Sequence, residues 1–140
     1  MIALAPGHAP EARSMTKLVG ADVQEAKALI AGGKGKVQRR FTDTNQGQTY
    51  SIMTTPEIYF SWFNPEGSAV MPRSAASFTT PIPLLVVVGN HDRLARGKDY
   101  IFDKAPPHPK SRFASVSAGH VEVPGAALDE VLGWLASLEQ

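Results

Sequence analysis

Apolar positions fall into short blocks whose spacing changes along the chain. Leu84 to Val88 is an unbroken apolar run between Pro83 and Gly89. It predicts a short strand buried on both faces, followed by the polar loop Asn90-His91-Asp92. Phe113 to Ser117 is a second β-rich run, ending on the small pair Ala118-Gly119 and then His120. Ile2 to Ala5 is a third, stopped by Pro6-Gly7. Elsewhere the period is helical. Val23, Ala26, Leu29 and Ile30 predict a helix over Asp22–Ala31, with Asp22 as its cap and Gly32-Gly33 as its stop. Leu128, Val131, Leu132, Leu135 and Leu138 predict a helix over Pro124–Leu138 with one buried stripe and Trp134 on the flank of that stripe.

The intervening segments carry weaker signals. Phe41–Asp43 and Thr49–Met53 flank Asn45-Gln-Gly47 and predict a small antiparallel hairpin. Thr54-Thr55-Pro56-Glu57 places a hydroxyl cap, a first-turn proline and an acid ahead of Ile58–Phe63, a short and nearly all-aromatic helix. Arg73–Phe78 predicts another short helix, and Pro81 and Pro83 fix the entry to the central strand. Ala95–Lys104, with Tyr100, Ile101 and Phe102 among charges and Ala105-Pro106-Pro107 behind them, predicts a helix. Strand, helix and strand would then form one βαβ unit.

Composition narrows the class. A chain of 140 residues with 43% hydrophobic positions is long enough for one domain with a core. The longest apolar run is far below the roughly 20 residues of a membrane span, and the first residues lack the basic n-region of an export signal. The default expectation is cytoplasmic. Lys and Arg number 14 against 13 Asp and Glu, so no global charge draws the chain to nucleic acid. The basic segment Gly32–Arg40, with Lys34, Lys36, Arg39 and Arg40, reads as a solvated loop. With no cysteine, disulfides, thiolate metal sites and cysteine nucleophiles are excluded.

Candidate chemistry gathers at the strand ends. Parallel strands would bring Asp92 and His120 to one carboxyl edge of a sheet, where open α/β folds place their sites. An acid and a histidine so placed are two members of a nucleophile, histidine, acid triad. His8 would leave the first strand at the same edge, either as a plain loop residue or as part of the site's lining. Tyr59 and Trp62, with Phe60 and Phe63, either pack a subdomain or line an apolar substrate pocket. Asp99 and Asp103 are rival acids on the segment after the strand. His8, His91, His108 and His120 show no metal-ligand spacing, and no cofactor is called for.

The stretch I-P-L-L-V-V-V-G-N-H-D, followed after about 28 residues by S-A-G-H and an amphipathic terminal helix, resembles the carboxyl-terminal part of an α/β-hydrolase. The resemblance implies an α/β fold with a short parallel sheet of three strands, flanking helices and a small helical and hairpin cap. It implies core segments at 1–10 and 81–140, with a cap insertion over 11–80. It further implies Asp92 as acid and His120 as base in hydrolysis of a small ester or amide. The family's nucleophile motif G-x-S-x-G occurs nowhere in the sequence, and Ser68 and Ser117, the serines nearest small residues, are not expected between a strand and a helix. By the same resemblance the nucleophile and the preceding strands would lie before Met1. The alternative expectation is an inactive half-domain that associates through an open strand edge, as a homodimer or with the missing amino-terminal half.

Overall fold

The computed structural model describes residues 1–45 and 47–139. In chain order the elements are β1 (Ile2–Leu4), α1 (Arg13–Ala31), β2 (Arg39–Asn45), β3 (Gln48–Thr54), α2 (Pro56–Phe63), α3 (Met71–Ala76), β4 (Leu85–Gly89), β5 (Arg112–Val116), α4 (Val123–Ala126) and α5 (Leu128–Leu138). Two compact units divide them, one made of Met1–Gly7 and Pro72–Gln140, the other of His8–Met71.

The first unit is built on a parallel sheet of order β1-β4-β5. All of β4 is buried because both of its faces are covered. Leu85 and Val87 look toward Val123, Ala127 and Trp134, with Leu4, Ala114 and Val116 beside them. Leu84, Val86 and Val88 look the other way, toward Ala3, Phe102, Ala105 and Phe113. Each such side chain contributes roughly 1.5–3 kcal/mol by leaving water. An apolar run without alternation is what this position requires.

Two helical expectations change here. The segment from Ala95 to Lys104 is a series of turns that closes in a single 3₁₀ turn, Phe102–Lys104. Gly97 and the prolines behind Ala105 leave too short a stretch for an α-helix to nucleate. The terminal helix is broken at Ala127 into α4 and α5, and its buried stripe is a different one. Val123, Ala127 and Trp134 are buried, with Val131 and Leu138 packed beside them, while Leu128, Leu132 and Leu135 are exposed. Trp134 is central because its indole N–H donates to the Lys110 carbonyl at 2.7 Å, which draws the ring onto the sheet.

The second unit packs α1 and α2 with the β2–β3 hairpin around Val19, Val23, Ala26, Phe41, Tyr59 and Phe63. The strands pair antiparallel from Arg39↔Thr54 to Asn45↔Gln48. Gln46, in the expected turn, lies outside the described residues. The helix expected to begin at Asp22 begins at Arg13 instead. Asp22 is interior to it, and its carboxylate accepts the N–H of Thr42, tying helix to hairpin. At the start of α2 the Thr55 hydroxyl accepts the Ile58 N–H at 3.4 Å, and Pro56 occupies the first turn. The remaining short helix is Met71–Ala76 rather than Arg73–Phe78.

Tyr59 closes this core. It is 1% exposed, stacks on Phe41 at 4.3 Å between ring centroids, and donates its hydroxyl to the Thr42 carbonyl at 2.7 Å. Burial, then the charges of Asp22 and Asp43, push its phenol well above the ordinary value. In the unfolded chain the phenol ionises near pH ~10. The native pKa being the higher, the stability linked to Tyr59 is complete below pH ~10 and is lost as pH rises through that value toward the native one. Tyr59→Phe is expected to cost about 1 kcal/mol at neutral pH. It should also flatten the alkaline loss of stability, measured by urea unfolding between pH 7 and 11.

Candidate functional site

The parallel register Gly89↔Val116 sends the loops after β4 and β5 off the same edge of the sheet. They are joined there through the backbone. Asn90 N–H donates to the Val116 carbonyl at 2.9 Å and His91 N–H to the Ala118 carbonyl at 3.2 Å. A Cβ on Gly89 would run into the Ala118 carbonyl and touch Val123, so the position admits no side chain. Asp92 N–H returns to the Gly89 carbonyl at 3.2 Å, and the Asp92 carboxylate takes the Leu94 N–H on Oδ1 at 2.7 Å. The loop is folded around its acid.

His120 arrives from the other side. It opens a 3₁₀ turn, His120–Glu122, that leads into α4. Glu122 reaches back so that its Oε2 accepts the Gly119 N–H at 2.8 Å, and Val123 is fully buried beneath the turn. The result is a hydrogen bond of 2.8 Å between His120 Nδ1 and Asp92 Oδ2, across 28 residues of chain. The Asp92 side chain is 2% exposed and that of His120 is 27% exposed. A buried carboxylate needs partners, and this one has an imidazole and an amide.

The geometry fixes what the imidazole can do. With Nδ1–H donating to the carboxylate, Nε2 carries the lone pair and is free to accept a proton. Nε2 makes no hydrogen bond among the described residues. The backbone of Gly7, which follows β1, lies against the same edge of the ring. A Cβ there would stand 2.7 Å from Cε1 and 3.3 Å from Nε2 of His120.

The other candidate residues have different settings. His8 belongs to the second unit, where it stacks on Trp62 at 4.5 Å between centroids and its Nε2 donates to the Trp62 carbonyl at 2.9 Å. Trp62 is 55% exposed, whereas Tyr59 is in that unit's core. Asp103 pairs with Lys98 at 3.5 Å. His108 Nδ1 accepts the Lys110 N–H at 3.1 Å. Ser117 does stand between a strand and a helical turn, because that turn begins at His120 rather than at Pro124, but its hydroxyl makes no hydrogen bond to His120. Among the described residues no three His, Asp or Glu side chains gather as a metal site, and no helix is long and apolar enough to cross a membrane.

Gly7, Gly89 and Glu122 escape a sequence reading that looks for reactive side chains. Gly89 directly after a valine run signals a close approach, and an acid three residues after Gly119 is a helix-start signal. No protein-family model, no curated protein and no solved structure matches the chain. Gly7→Ala is expected to tilt the imidazole and weaken its bond to Asp92, seen as loss of a downfield Nδ1 proton resonance in NMR. Gly20→Ala, whose added methyl meets nothing within 4 Å, should leave that resonance in place.

Proposed function

We propose that this chain supplies the acid and the general base of a hydrolase of small acyl esters or amides, of the α/β-hydrolase kind. The hydrogen bond from His120 Nδ1 to the buried Asp92 carboxylate carries the assignment. His120 Nε2 takes the proton from an attacking hydroxyl as that oxygen bonds to the acyl carbon. It then gives the proton to the departing alkoxide or amine. Asp92 holds the productive tautomer and stabilises the imidazolium that forms in between. In this proposal the attacking hydroxyl comes from polypeptide outside these 140 residues, since no G-x-S-x-G stands among them. The reaction needs no cofactor.

The chain by itself is expected to hydrolyse p-nitrophenyl acetate only slowly, through the imidazole. His120→Ala should bring that rate to the level of the uncatalysed reaction, and His108→Ala should not change it. In a longer polypeptide that carries a nucleophile, Asp92→Asn is expected to lower kcat by about 10⁴, the loss known when the orienting acid of such a triad is replaced. Ester turnover that survives His120→Ala would remove His120 as the base.

A further inference from the structure

Strand β1 ends in a turn that its residue types oppose. Its ladder with β4 continues one residue past Leu4, where the Ala5 N–H donates to the Val87 carbonyl at 2.9 Å. Ala5 then takes a φ of 46°, and among the described residues no other residue with a side chain has a positive φ. Alanine rarely adopts this left-handed conformation, because its Cβ crowds the following carbonyl. Pro6 adds to the conflict, since a residue before proline favours extended backbone. Residue type and neighbour both ask for a strand that runs on, and the chain turns instead.

Packing shows what holds the turn. Along a strand successive side chains alternate between the two faces. Ala3 packs with the layer of Leu84, Val86 and Val88, and Leu4 with the opposite layer of Leu85, Val87 and Val123. A continued strand would return Ala5 to the face of Ala3. Ala5 lies with Leu4 instead, on the layer of Leu85, Val87 and Val123. Its methyl group and its N–H both stay on the sheet while the chain beyond changes direction. Pro6, whose ring fixes its own φ, carries that direction stiffly to Gly7. A Cβ on Gly7 would stand 2.7 Å from Cε1, 3.3 Å from Nε2 and 3.6 Å from Nδ1 of His120. The Gly7 backbone thus lies along the ring edge that joins the two nitrogens.

The imidazole is therefore bounded by two strand ends other than its own. Asp92, after β4, takes Nδ1 at 2.8 Å, and Gly7, after β1, backs Cε1 and Nε2. A single hydrogen bond leaves an imidazole free to pivot about it. A backbone wall beside Cε1 removes that freedom, and only a residue without a side chain can come so close. We infer that Ala5, Pro6 and Gly7 form a positioning element for His120, in which backbone strain held at Ala5 seats Gly7 against the ring and keeps Nδ1 on Asp92. Strain of this kind persists only where the surrounding packing over-determines it, as the apolar layer under Ala5 does. The purpose of the element rests on the proposed role of His120 as base, because the Nδ1–H tautomer is the one that leaves Nε2 able to accept a proton.

The tautomer of His120, read from the ring nitrogen chemical shifts of the isotope-labelled full chain near pH ~8, tests this. The wild type is expected to hold the Nδ1–H form. Ala5→Val and Ala5→Asn add side chains of similar size, but asparagine tolerates the left-handed region and a β-branched residue does not. Ala5→Asn and Ala5→Gly should therefore keep the tautomer, whereas Ala5→Val should lower the ratio of Nδ1–H to Nε2–H about fivefold or more. Gly7→Ala should lower it likewise. Adding Ala5→Gly to Gly7→Ala should recover about half of that loss or more, because a glycine lets the added methyl withdraw from the ring. This double variant decides the matter if Ala5→Val does not fold. An Nδ1–H form that persists in folded Ala5→Val, or a double variant without recovery, would overturn the inference and leave the pairing of His120 with Asp92 intact. Equal loss in Ala5→Asn and Ala5→Val would overturn it as well, by assigning the effect to bulk rather than to φ. A wild type in the Nε2–H form would overturn the inference and the pairing together.

Discussion

The ends of β4 and β5 touch backbone to backbone, and the first unit depends on that contact. Gly89 stands where any Cβ would strike the Ala118 carbonyl, while the amides after it donate to Val116 and Ala118. Parallel strands this close must release their loops on one edge, so Asp92 and His120 have little choice of neighbour. The apolar layers on either side of β4 keep the strands from separating. The hydrogen bond between imidazole and carboxylate is a consequence of this packing more than a cause of it. Replacing the pair would remove that bond and leave the sheet standing.

Elements that announce themselves through backbone constraint were legible in the sequence. β4 is legible because a strand covered on both faces must be apolar throughout, and α2 because Thr55 and Pro56 fix its first turn. The beginning of α1 was not. Its cap residue, Ala12, offers no side-chain acceptor, and Asp22 resembles a cap while its carboxylate serves β2. α5 failed differently, because it carries two apolar stripes. Periodicity detects both and cannot say which one meets the sheet; the indole N–H of Trp134 decides that in three dimensions. At the site, strand order alone suggests that Asp92 and His120 meet. That Gly7 abuts the ring and Glu122 braces the turn belongs to contacts between distant backbone segments, which leave only a glycine and an acid in the sequence.

The second unit shows how a small core can be built from a helix pair and a hairpin. Asp22 and Tyr59 both spend their polar groups on Thr42, one on its amide and one on its carbonyl. The hairpin is thereby held to both helices at a single residue. The aromatic helix divides its side chains: Tyr59 and Phe63 are buried, while Ile58 and Trp62 are exposed, the latter under the stacked ring of His8. Its apolar density therefore serves more than its own core.

The connection from β4 to β5 has only turns and one 3₁₀ turn, with Ile101 its one buried residue between Asn90 and Ser111. Histidine and acid are consequently held with unequal firmness. His120 rests directly on Val123 and the helices that follow, whereas Asp92 begins an irregular stretch whose apolar anchors, Ile101, Phe102 and Ala105, come about ten residues later. Detachment of the pair would start from the carboxylate, leaving the imidazole in place and without the partner that sets its tautomer. The length of the imidazole–carboxylate bond is thus tied to the path of the chain after Asp92 as much as to the helices behind His120.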